Sequence, residues 1–150
     1  MILLLAVVAT GLVAGLFAAF AYAVMPGLRR ADDRTVVQAM RGINAAILNP
    51  VFGVLFLASV ALPVLLGATR HDEPGGPWLV AGAVLSVGTV LVTLTVNVPL
   101  NTGLETSDAE PAAARAAFER RWTAANLVRT ATSVAAFGCL VVAALRTPVA

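Results

Sequence analysis

The chain has 150 residues, of which 59% are hydrophobic and only 12% charged, against roughly 25% charged in an average soluble domain. A soluble domain this short has too little interior to hide so much apolar surface, so its natural solvent is lipid. All ten basic residues are Arg and the net charge is only +2. They are scattered over several loops with no basic stripe, which excludes nucleic acid as a partner.

A bilayer core about 30 Å thick is crossed by about 20 residues of apolar helix. Residues 1–28 carry no charged side chain, and a first span is expected over residues 2–25. Ala21-Tyr22-Ala23 resembles a leader-cleavage site. No positive charge precedes it, however, and the apolar run exceeds the usual length of about 7–15 residues, so the segment reads as a span. A polar helix follows from Asp32 to Asn49. Asp32 or Asp33 suits its N-cap, and Val36, Val37, Met40, Ile43 and Ile47 recur at helical spacing. Pro50 should kink or end it near Asn49 through a clash with the Ala46 carbonyl.

The second span is expected over residues 51–66 and the third over 78–98, joined by a short link rich in Gly and Pro. Residues 108–121 read as a second surface helix leading into the fourth span, 122–145. That span must start near Trp122, because the charge-free stretch 130–145 is slightly short, and this draws Arg129 into the membrane. The fold class is therefore all-α: one integral membrane four-helix bundle over residues 1–150, with short surface helices in the two loops of one side. Arg29, Arg30, Arg34, Arg41, Arg115, Arg120, Arg121 and Arg129 lie towards that side, and only Arg70 and Arg146 towards the other. This asymmetry places the two Arg-rich loops in the cytoplasm and both termini outside the cell membrane.

Polar residues converge at the Arg-rich end. All five Asn residues fall there: Asn44 and Asn49 before the second span, Asn97 and Asn101 closing the third, Asn126 opening the fourth. Tyr22 sits at the same level of the first. Ser86, Thr89, Thr93, Asn97 and Asn101 follow each other at spacings of three or four and share one helical face. Trp122, Asn126, Arg129 and Ser133 do the same on the fourth span. Such side chains either glue helices together, at about 0.6 kcal/mol each, or line a wet cavity; both readings stay open. His71 lies in the loop at the opposite end. With a single His, a single Cys (Cys139) and no acid within any expected span, a metal or haem has no ligand set, and no cofactor is expected. The missing carboxylate also argues against a proton-coupled transporter. Gly11 and Gly15, continued by Ala19 and Ala23, give the first span a small-residue face for packing within the bundle or for a homo-oligomer.

Four motifs in order carry a family resemblance: Val24-Met25-Pro26-Gly27-Leu28-Arg29; Ile43-Asn44 with Ile47-Leu48-Asn49-Pro50; Asn97-Val98-Pro99-Leu100-Asn101; and Trp122 with Asn126, Val128, Arg129 and Thr130. Together they resemble the anthrone oxygenase family of small four-helix membrane proteins, over Gly11 to about Leu145. The chain departs from the pattern at Ala125, where relatives often carry a second Trp. The resemblance implies oxidation of a phenolic aromatic by O₂ with no evident cofactor. It implies Arg129 as the positive charge, and Asn97, Asn101 and Asn126 as donors to a developing oxyanion. Tyr22, Asn44, Asn49, Thr93 and Trp122 would surround the small aromatic ligand. The alternative is a non-catalytic membrane binding or accessory protein. The topology is directly testable. With Cys139 replaced and single Cys probes at Ala31, Ala113 and Gly75, an impermeant maleimide on intact cells should label only the Gly75 position; the reverse pattern inverts the orientation.

Overall fold

A computed structural model describes residues 1–146. It contains the helices α1 (Ile2–Leu28), α2 (Asp33–Ile47), α3 (Pro50–Thr69), α4 (Gly76–Glu105) and α5 (Pro111–Arg146). Among the described residues, α1, α3, α4 and α5 are long and apolar enough to cross a membrane. They close into a ring in which α1 and α4 each pack on both α3 and α5. The chain is thus an all-α, multi-pass four-helix bundle, and α2 lies across its Arg-rich end against α4 and α5.

The bundle is lined with small and polar side chains and coated with large apolar ones. Ala6, Ala9, Thr10, Val13, Ala14 and Phe17 form the buried stripe of α1, and Ser133, Ala136, Leu140 and Ala143 that of α5. Leu4, Leu12, Val54, Leu57, Val84 and Leu91 point outward and are more than half exposed. This is the packing expected where lipid tails are as apolar as leucine, so that close backbone approach, not apolar burial, holds helices together.

Both π turns adjoin a proline. Phe20–Val24 interrupts α1 just before Pro26, and Thr93–Asn97 interrupts α4 just before Pro99. There the N–H of Met25 bonds the Phe20 carbonyl and that of Val98 the Thr93 carbonyl, a reach of five residues. The wider turn makes room for a ring that would strike the carbonyl four residues back in a regular helix. It lets α4 run through Pro99 to Glu105, seven residues past the expected end at residue 98. The expected surface helix 108–121 and the fourth span are one continuous helix of 36 residues, roughly 54 Å long at 1.5 Å per residue. Nothing breaks it: its first half is rich in Ala, and Arg115 pairs with Glu119 one turn on, Nε to Oε2 2.6 Å.

α2 follows its expected limits. Asp32 caps it, with Oδ1 accepting from Thr35 N–H (3.0 Å) and Oδ2 from the Thr35 hydroxyl (2.7 Å). Those donors hold the Asp32 carboxyl below its ordinary range. The cap is therefore fully present above the unfolded pKa and is lost as pH falls through the lower folded value. The buried side of α2 meets Met25, Leu104, Ala114, Phe118 and Trp122 through Val37 and Met40. At its far end Asn49 makes the elbow into α3. Its Nδ2 donates to the Ala46 carbonyl (2.8 Å) and its Oδ1 accepts from Phe52 N–H (3.0 Å), while Pro50 opens α3. Arg115 clamps the α1–α2 loop, donating to Asp33 Oδ1 (3.0 Å) and to the Ala31 carbonyl (3.1 Å).

Within the bundle, the expected small-residue face of α1 is packed at Gly11 but not at Gly15. A Cβ on Gly11 would meet the Phe137 ring at 2.9 Å, whereas one on Gly15 would meet nothing within 4 Å. Four residues apart, the two glycines share a helix side, but α5 crosses it only at the Gly11 level. Gly11→Leu should cost about 1–3 kcal/mol by overpacking, whereas Gly15→Leu should leave thermal stability in detergent unchanged. Equal melting shifts for the two would contradict this packing.

Candidate functional site

The ring of spans does not fill at the Arg-rich end. A cavity of about 420 Å³ opens between α1, α2, the elbow, α4 and α5. Phe17 and Phe20 of α1, Phe52 of α3 and Trp122 of α5 contribute aromatic walls. Trp122 is held by Phe20 and Phe118, with ring centroids 5.5 and 5.8 Å away. Its indole N–H donates to Asn101 Oδ1 at 2.8 Å.

Arg129 enters the cavity from α5 and is only 6% exposed. No carboxylate pairs with it among the described residues. Its guanidinium carbon lies 4.2 Å from the Phe17 ring centroid and 5.5 Å from that of Trp122. Its Nη2 donates to Asn126 Oδ1 at 2.9 Å, and Asn126 Nδ2 donates to the Phe17 carbonyl at 3.1 Å. Cation–π contact in a desolvated setting is worth about 2 kcal/mol and partly replaces lost hydration. The charge is thereby fixed in place but only partly satisfied, because Arg129 Nε has no hydrogen-bond partner.

Three further polar atoms on the cavity lining are buried and unpaired. Asn97, at 1% exposure, leaves both Nδ2 and Oδ1 without a partner, and Asn44 leaves Nδ2 so. Buried polar groups in folded proteins are nearly always paired, and each orphan costs roughly 1–3 kcal/mol. Unpaired donors on Asn44, Asn97 and Arg129, three residues lining one cavity, suit an oxygen-bearing ligand.

Of the residues singled out from the sequence, Asn44, Thr93, Asn97, Asn101, Trp122 and Arg129 line this cavity. Asn126 stands behind it, gripping Arg129. Asn49 is spent on the elbow. Tyr22 is 75% exposed and lies outside the lining. His71 sits at the opposite end beside Asp72, 3.2 Å away. Two contributions escape the sequence reading. Phe17 and Phe20 look like any apolar residues of a span and carry no signal. Glu105 does carry one: it continues the Thr93, Asn97, Asn101 stripe by one more step of four. Ending the helix at residue 98 hid it, and with it an acid on a membrane-spanning helix.

Fold and site together define a class: a small helical membrane protein with an aromatic-walled, cationic cavity at one end of its bundle. The chain belongs to the anthrone oxygenase family, whose family model matches residues 43–139, well over half of its length and inclusive of every polar cavity residue just described. Comparison with curated proteins and with solved structures gives no match.

The geometry separates the amides by role. Asn126→Ala strands Arg129 Nη2 and takes one donor from the Phe17 carbonyl, which keeps the Phe20 N–H, and should cost about 1–3 kcal/mol. Asn97→Leu removes two orphans and should be neutral or stabilising. Thermal unfolding in detergent distinguishes them; equal effects would mean that Asn97 is as firmly bonded as Asn126.

Proposed function

We propose that the chain oxidises a flat phenolic aromatic, an anthrone, to the corresponding anthraquinone with O₂, within a cell membrane and with its Arg-rich end in the cytoplasm. The observation that carries this reading is Arg129, a desolvated cation between aromatic faces, lining one cavity with the unpaired amide of Asn97. A cavity of about 420 Å³ falls within the usual range of roughly 300–1,000 Å³ for small-molecule sites. Its rings suit stacking on a planar tricycle.

In the reaction a ring methylene loses a proton and its electrons delocalise onto the ketone oxygen as an enolate. Arg129 stabilises that oxygen, with Asn97, Asn101 and Asn44 supplying N–H donors around it. Fixed donors in a water-poor site act strongly on charge as it develops. The carbanionic carbon gives electrons to O₂ and forms a C–O bond. Loss of the second methylene hydrogen and cleavage of the O–O bond then leave the new ketone and one water. One O₂ is consumed for each anthrone, and both oxygen atoms are accounted for. Asn126 is a positioning residue that holds the Arg129 fork in register.

Purified protein in detergent should consume O₂ and anthrone in equal amounts above a protein-free blank. Arg129→Lys should keep the fold and lose about 10²–10³-fold in rate, since an ammonium cannot reproduce the planar fork. Quenching of Trp122 fluorescence by anthrone with no O₂ uptake would favour the non-catalytic binding reading instead.

A further inference from the structure

We infer that Glu105 is the base that takes the proton from the ring methylene, directly or through one water; the inference rests on the oxygenase reading. Making an enolate requires a proton acceptor, and the cavity offers a single candidate. Of its lining residues only Arg129 and Glu105 ionise, and Arg129 already bears its proton. Every other carboxylate is engaged or elsewhere. Asp33 and Glu119 are tied to Arg115 and Arg29, and Asp32 caps α2. Asp72 and Glu73 lie at the opposite end with His71 and Arg70. Asp108 and Glu110 do not line the cavity. Among the described residues Glu105 has no ion-pair partner, so its carboxylate is free to accept the proton.

Its position fits the task. Asn101 and Glu105 are one turn apart on α4, about 6 Å along the axis, and Asn101 Nδ2 stays available beside the bond from Trp122. Glu105 is exposed as well as lining the cavity, so a proton accepted from inside can leave to water. The charged groups around it are few. Arg129 reaches into the same cavity from α5. Arg41 of α2 passes close by, but its Nε and Nη2 donate to the Leu104 and Ser107 carbonyls at 3.0 and 2.7 Å. The linings from α1 and α3 contribute no titratable group. In the step a methylene C–H bond breaks, an O–H bond forms on the carboxylate or on the bridging water, and the electron pair moves to the oxygen at Arg129.

Anaerobic deuterium exchange at the anthrone methylene, followed by mass spectrometry at neutral pH, isolates this step from O₂ chemistry. Wild-type protein should accelerate exchange over the buffer blank. Glu105→Gln should lower both exchange and O₂ uptake by about 100-fold while anthrone still quenches Trp122, and Glu105→Asp should restore part of the loss. Undiminished exchange in Glu105→Gln, alongside wild-type O₂ uptake, overturns the inference and leaves the oxygenase reading standing. If Glu105→Gln does not fold, wild-type exchange in a folded Glu105→Ala variant overturns it too. Wild-type protein with neither exchange nor O₂ uptake overturns both.

Discussion

The constraint behind the rest of the structure is a guanidinium buried in a bundle whose outer face is lipid. An unrelieved Arg near mid-span costs on the order of 2.5–3.5 kcal/mol. Relief here comes through one short relay: Arg129 to Asn126, and Asn126 to the Phe17 carbonyl, with the Phe17 ring over the charge. A single residue of α1 therefore supplies both a backbone acceptor and a π face. That works only if α1 and α5 approach closely, and they do where the Phe137 ring of α5 lies against Gly11 of α1, leaving no room for a Cβ. Gly11, which looks like part of a generic packing motif, serves the charge less than two turns away at Phe17.

Much of this was legible in the sequence, and the failures share a physical origin. Span number and approximate position follow from apolar run length, and the α2 start from its Asp32 cap. Face assignments depend on a constant 100° per residue, and a π turn breaks that phase. Tyr22 lies inside the turn Phe20–Val24, so its level in the membrane could be read but not its direction. The turn Thr93–Asn97 lets α4 continue past Pro99, where proline rules place a helix end. Glu105 was lost for that reason.

Composition alone also cannot divide the amides by duty. Asn49, Asn97 and Asn126 are the same side chain at one membrane level, yet they serve as an elbow, an unpaired cavity wall and an anchor. The decisive variable is which backbone carbonyl lies within reach. Asn49 has that of Ala46 in its own elbow, and Asn126 has that of Phe17 across the helix seam. Asn97, buried at the end of a π turn, has none.

The unpaired groups can be set against what the bundle could have done instead. A leucine at position 97 would relieve two orphans, and a paired carboxylate near Arg129 would neutralise it, each at a gain in stability. The chain carries neither. Its one cavity carboxylate, Glu105, stands at the exposed end of the stripe, two turns from Asn97 on α4. In the oxygenase reading, a carboxylate beside Arg129 would quench the field that an enolate needs, and one too far into solvent could not reach the carbon. Placing cation and carboxylate at opposite depths of one cavity keeps each free of the other. A bound aromatic ring would then separate them, oxygen towards the buried Arg129 and acidic carbon towards the wet mouth, and that polarity is what proton abstraction followed by electron transfer to O₂ requires.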